Sequence, residues 1–148
     1  MTIQSIEQQR AKYALEQVKE FVGRSTTTAA DKKEWKTRAN EIPAMIQKNG
    51  LGQTVAFYLA KGGVHKEMYL LLSKWLCTEQ RIYSNNSADL ITGITTGDMR
   101  AYRRAQAEAQ ALLLWVKKFS RAYCDVEEKK EQARKEDTPP QEQQEDRP

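Results

Sequence analysis

Cys77, Cys124 and His65 are the side chains with which this chain would perform nucleophilic or metal chemistry, and their spacing speaks against both. The two cysteines stand alone in helical-looking sequence, without the paired spacing of a zinc ribbon or a thioredoxin-like redox motif, and read as reduced, half-buried thiols. His65 is the single histidine, so one chain cannot build a zinc site from two or three imidazoles. Beside Gly62-Gly63 it reads as an exposed turn residue. A metal-dependent nuclease would need clustered carboxylates. Glu16, Glu20, Glu34, Glu41, Glu67, Glu79, Asp89, Asp98 and Glu108 are scattered instead, mostly three or four residues from a Lys or Arg, as on paired helix surfaces. A nuclease reading would have to rest on Asp98, Glu108 or His65. Glu108 lies nearer the apolar face of its helix, where a structural pair with an arginine is expected, Arg103 being one candidate. The glycines of Asn49-Gly50-Leu51-Gly52-Gln53-Thr54 lack a preceding strand and carry Val55 where a dinucleotide fingerprint has its third glycine. They read as a helix stop followed by a helix start. No Gly-Lys-Ser/Thr phosphate loop exists. No catalytic residue, metal ligand or cofactor is expected.

The basic residues form the more coherent pattern. The chain carries 24 Lys and Arg against 20 Asp and Glu, a net charge of +4. Residues Glu127 to Pro148 hold five basic and eight acidic side chains, which leaves +7 on the remainder. On a helical wheel from Asp98 to Cys124, Arg100, Arg103, Arg104, Lys117, Lys118 and Arg121 fall opposite Tyr102, Ala105, Ala109 and Val116. Lys66, Lys74 and Arg81 repeat this arrangement one helix earlier, and Arg10, Lys12, Lys48 and Lys61 extend it. Such a stripe holds a phosphate backbone by position and charge, releasing counterions, without reading bases. The aromatic residues are assigned to the core, so base stacking and sequence-specific readout are not expected.

The elements that must position these residues are helices. Ser5 with Gln8 forms a capping box, and Ala11, Ala14, Leu15, Val18 and Val22 recur at helical spacing before Gly23. Asp31 with Glu34 opens a second helix with Trp35, Ala39, Ile42 and Ile46 on one face and Pro43 as a kink or restart. A third runs from Leu51 to Lys61 with Leu51, Val55 and Leu59 inward; a fourth aligns Met68, Leu71, Leu72, Trp75 and Leu76. A short helix starting near Ser87 presents Leu90, Ile91 and Ile94. Asp98 caps the longest, whose inward set is Tyr102, Ala105, Ala109, Leu112, Leu113, Val116 and Tyr123. Its run from Leu112 to Val116 is apolar all round, which makes it the central helix of the bundle, with Leu114 or Trp115 also able to meet another chain. At 148 residues, with a mean hydropathy of −0.79, this predicts an all-α, single-domain compact bundle of five or six helices. Residues 1–124 form the domain and 125–148 a disordered charged tail. Neither a membrane span nor a leader peptide is read, so a cytoplasmic location is expected.

The segment from Ile42 to Phe57, IPAMIQKNGLGQTVAF, resembles the signature of the small all-helical subunit of the type III-B CRISPR effector, the Cmr complex. The opening Gln9-Arg10-Ala11-Lys12-Tyr13-Ala14 agrees, as do Tyr102-Arg103, Glu108-Ala109 and the run Leu113 to Phe119. The resemblance extends from Gln8 to Tyr123. It implies a subunit that stacks in several copies beside backbone subunits along guide RNA paired to target RNA, in defence against invading nucleic acid. Pairing reads the sequence there, and the protein supplies geometry and charge. The resemblance assigns target cleavage to backbone subunits and further catalysis to the large subunit, leaving this chain without activity. Carried over by position, Gly50, Gln53 and Phe57 become packing or interface positions, Gly50 and Phe57 the structural ones, while Arg103, Lys117 and Lys118 are the better candidates for RNA. The competing reading is a helical protein-protein adaptor without RNA contact.

Overall fold

A computed structural model describes residues 3–83 and 89–124. The expected tail at 125–148 and the start near Ser87 lie outside them. The described elements are α1 (Ile6–Gly23), α2 (Ala29–Asn49), α3 (Leu51–Lys61), α4 (Gly63–Ser73), a π-helical segment (Lys74–Glu79), α5 (Leu90–Thr96) and α6 (Met99–Cys124). The all-α prediction with a long C-terminal helix holds.

Local chemistry sets most helix ends. Ser5 Oγ accepts from the Gln8 amide at 3.2 Å, and Gln8 Oε1 accepts from the Ser5 amide at 2.9 Å, closing the predicted capping box on α1. The second box is Thr28 with Asp31, not Asp31 with Glu34, so α2 starts a turn earlier than its sequence reading. Asp89 caps α5 through the Thr92 amide, which places the short helix at Leu90. Asp98 Oδ1 accepts from the Ala101 amide at 2.8 Å and opens α6 as expected.

Helix α2 passes through Pro43 without a break. Buried Ile42 and Ile46 flank the proline, and its carbonyl accepts from Gln110 Nε2 of α6 at 2.9 Å, so tertiary contacts outweigh the local cost of the missing amide. At Gly50 the chain adopts φ +85°, where a side chain is strained, and an added Cβ would also approach the Tyr102 hydroxyl to 3.0 Å. The amides of Leu51 and Gly52, which have no partner within α3, donate to Gln106 Oε1 at 3.1 Å and to Tyr102 Oη at 3.0 Å. The glycine motif is therefore a helix-to-helix joint whose free amides α6 already satisfies.

In the core Trp35 stacks on Phe21 with centroids 4.2 Å apart and donates to Ser120 Oγ at 2.8 Å. Tyr13 lies against Trp75 and donates to the Leu71 carbonyl at 2.6 Å. Ser120 belongs to the inward face of α6, which the wheel reading omitted. Helix α2 packs against α3, α4 and α6, while α6 packs against α1, α2 and the π-helical segment. Helices α2 and α6 share the centre of the bundle, and α6 also keeps an open outer side at Leu114. Leu112 and Leu113 are fully buried between the neighbours of α6, whereas Leu114 is 58% exposed. Among the described residues no helix is long and apolar enough to cross a membrane.

Candidate nucleic-acid interface

The outer face of α6 is built by helical periodicity. Ala105, Ala109, Leu112, Leu113, Val116 and Ser120 turn inward, which forces Arg100, Arg103, Arg104, Lys118 and Arg121 outward into solvent, with Lys117 half-buried. Over the whole of α6 six residues are basic and one is acidic. Arg103-Arg104 and Lys117-Lys118 stand about 21 Å apart at 1.5 Å per residue. Between them the face is neutral, formed by Ala107, Ala111 and the exposed Leu114. The predicted stripe is thus two cationic clusters separated by a small-residue and apolar saddle.

The single carboxylate of α6 is engaged elsewhere. Glu108 Oε1 and Oε2 accept from Arg10 Nε and Nη2 at 2.7 and 2.8 Å, and Oε1 accepts from Trp75 Nε1 at 3.0 Å. The Arg10 guanidinium, with Trp75 added, holds the Glu108 carboxyl below the usual carboxylate range against the opposing effect of burial. Glu7 adds a second carboxylate to Arg10 at 2.6 Å. The expected structural pair exists with Arg10, not Arg103. Arg10 accordingly leaves the set of phosphate-binding candidates, because its guanidinium is committed inside the α1–α6 seam.

The remaining candidates are dispersed. Lys12 and Lys74 line a cleft of about 260 Å³ between α1 and the π-helical segment, floored by Tyr13 and Trp75. Glu16 and Glu79 line the same cleft and offset its charge. Lys74 Nζ lies 5.9 Å from the Tyr13 ring centroid. Arg81 follows the π-helical segment with φ +50°, and Lys66 is exposed on α4. Lys48 and Lys61 are exposed on the last turns of α2 and α3. The thirteen basic positions therefore do not merge into one surface; α6 carries the dense part.

Arginines elsewhere differ from those of α6. Arg24 bonds to Glu20 at 2.7 Å and to Glu67 at 3.0 Å. Arg38 pairs with Glu41 at 2.8 Å and donates towards His65 Nε2 at 3.1 Å. Among the described residues, no carboxylate forms an ion pair with Arg100, Arg103, Arg104 or Arg121.

His65 is mostly buried, not an exposed turn residue, with its ring against Tyr58 at 4.9 Å and Glu34 Oε1 3.7 Å from Nδ1. Burial and the Arg38 charge lower its pKa, opposed by Glu34 and Glu41. Asp98 is a helix cap, so His65, Asp98 and Glu108 occupy three separate structural posts. Among the described residues no group of three or more His, Cys, Asp or Glu is arranged to hold an ion. Cys77 and Cys124 are both buried, not half-buried.

On α3 the structure revises two sequence readings. Tyr58, not Leu59, is the fully buried residue of its last turns, and Phe57, read as structural, is 40% exposed. Gln53 is exposed one turn before it. The missed signal was the step of four from Gln53 to Phe57 to Lys61, which sets an aromatic ring between two polar residues on one ridge.

Comparison with known proteins supplies the deciding observation: the family model described as CRISPR-associated protein (Cas_Cmr5) matches residues 6–123, across the whole helical domain. The chain belongs to the Cmr5 family. A crystal structure of a CRISPR-associated Cmr5 family protein from Thermus thermophilus shares the fold, with a TM-score of 0.64 at 23% identity over 81% of this chain and 98% of that one. Membership makes this Cmr5-family chain a subunit of the Cmr complex in CRISPR defence, alongside other subunits. The family match ends at residue 123, one residue before the end of α6.

Proposed function

We propose that this Cmr5-family chain is a non-catalytic, RNA-binding scaffold subunit that stacks in several copies along guide RNA paired to target RNA. The observation that carries this reading is the contrast among its arginines. Those of α1 and α2 are matched by carboxylates, whereas α6 presents unmatched cations on an outward face. Desolvating a guanidinium already paired to Glu costs more than it returns, so only unmatched cations are available to neutralise phosphates. The two clusters of α6 contact the sugar-phosphate backbone and leave base identity to RNA pairing. The saddle at Leu114 and the half-buried Trp115 meet protein, either the next copy or the backbone and large subunits of the complex. One copy makes few phosphate contacts, so retention arises from the array of copies.

Reversing Arg103, Arg104, Lys117, Lys118 and Arg121 to Glu tests the proposal. The variant is expected to keep its helical circular dichroism and to assemble with the other Cmr subunits. RNA retention should weaken, and the slope of log affinity against log salt should flatten by several units. Unchanged retention at every salt concentration removes α6 from RNA contact. Assembly resistant to high salt and nuclease, with no RNA at any stage, would support the protein-only adaptor.

A further inference from the structure

A cleft of about 280 Å³ lies between the C-terminal half of α2 and the outer ridge of α3, lined by Met45, Asn49, Gln53, Thr54 and Phe57. It differs from the cleft beside the π-helical segment in one decisive respect: no carboxylate lines it. Its volume is below the ~300–1,000 Å³ typical of whole-ligand pockets and suits a single planar ring system. Two periodicities build it. Met45 and Asn49 are four apart on α2; Gln53, Phe57 and Lys61 are four apart on α3.

The Phe57 ring is 40% exposed. The Tyr58 and His65 rings each stand nearly perpendicular to it, with centroids at 6.0 Å. Lys61 Nζ lies 5.4 Å from the Phe57 centroid, so a cation already occupies the neighbourhood of its π-face. An exposed ring with an ammonium one turn beyond it and a carboxamide one turn before it offers three separate kinds of contact. The ring stacks on a base, the Gln53 and Asn49 amides meet the base edge with both donors and acceptors, and Lys61 meets the phosphate. The polar groups beside the ring are the Asn49 and Gln53 amides that line the cleft and the Lys61 ammonium, with no carboxylate among the lining residues to repel a phosphate.

We infer that the α2–α3 cleft is a binding site for one unpaired nucleotide, with Phe57 as its stacking platform and Gln53 and Asn49 at the base edge. The inference rests on the RNA-binding reading and refines it: α6 holds the backbone of either single or paired strands, while this cleft accepts only a base free of a partner strand. Gln53 thereby moves from a protein interface to RNA.

Fluorescence titration of the full chain at low salt decides the matter, with single-stranded RNA containing one 2-aminopurine and a fully paired duplex of the same length as probes. Wild type is expected to change the 2-aminopurine emission in the single strand. Phe57→Ala should abolish that change and weaken single-strand binding about tenfold, the scale of one lost base–aromatic stack. It should leave duplex affinity within about twofold, because backbone charge supplies that term. Phe57→Trp should retain the single-strand affinity. Equal weakening on both probes, or none on either, overturns the inference while leaving the α6 interface standing. Normal RNA binding by Phe57→Ala with loss of co-purification with the other Cmr subunits would make the cleft a protein contact instead. If wild type at low salt bound neither probe, this inference would fail, and the RNA-binding reading would fail with it only if the assembled Cmr complex also kept the same RNA affinity after the α6 charge reversals.

Discussion

Glu108 accepts from two side chains that have little access to water, and that determines what its removal does. In Glu108→Ala the Arg10 guanidinium keeps only Glu7, and Trp75 Nε1 loses its acceptor. The expected cost is about 2–4 kcal/mol in urea unfolding, as for other partly buried polar groups stripped of partners. Replacing Arg10 by Met in the same chain should recover part of this loss, because the stranded charge is removed as well. A destabilisation under about 0.5 kcal/mol, typical of a surface position, would contradict the geometry. The side chain's position near the apolar face was legible from its place in the heptad of α6. Its partner was not, because Arg10 and Glu108 lie 98 residues apart and only the docking of α1 brings them together. Phe57 illustrates the opposite failure: an aromatic residue reads as core by type, yet the buried stripe of α3 is Leu51, Thr54, Val55 and Tyr58, which leaves Phe57 outside.

At the scale of elements, the seating of α5 and the seam between α2 and α4 each make a measurable demand. A Cβ on Gly93 would stand 2.5 Å from Cγ of the buried Tyr83 ring, so Gly93→Ala must displace either ring or helix. Its expected cost is about 1–3 kcal/mol, read as a lower midpoint at unchanged denaturant slope. Tyr69 anchors the same helix, donating to Asp89 and accepting from the Ile91 amide at 3.0 Å, and burial pushes its phenol up to about 12. At the second seam, His65 faces Arg38, Glu34, Glu41 and Lys61. Burial holds its pKa below the unfolded value of about 6.5, so the unfolded chain binds the proton first. Stability should therefore decline as pH falls below about 6.5 through the lowered folded pKa. His65→Gln should flatten the unfolding midpoint across that window; an unaltered pH profile would show that His65 is not the titrating group. Glu108, also lowered, acts in a separate and more acidic window, below about 4.5. Helix starts were foreseen at the Ser5 capping box and the Asp98 side-chain cap, but not at the Thr28 box. The run through Pro43 was not, since the compensating contacts with α6 are tertiary.

For the whole molecule, the proposed function assigns contact with the assembly to the open side of α6. Leu114→Glu should leave thermal unfolding of the isolated chain within about 0.5 kcal/mol, because the residue is 58% exposed. Placed on the saddle between the cationic clusters, the same change should reduce co-purification with further copies or with the neighbouring Cmr subunits. Unaltered assembly would exclude the saddle as a protein contact. The amino-acid sequence by itself determined the helical class, the sites of several caps, the inward face of α6 and, by exclusion, the cations that must turn outward. These follow from local hydrogen bonding and from a 3.6-residue period that operates within each helix. Only the tertiary structure decided that α2 runs unbroken through Pro43, that Arg10 is consumed by Glu108, and that Phe57 is left uncovered beside a cleft free of carboxylates. Those outcomes depend on which helix faces meet, and meeting faces are set by side chains tens of residues apart whose joint packing no single period encodes.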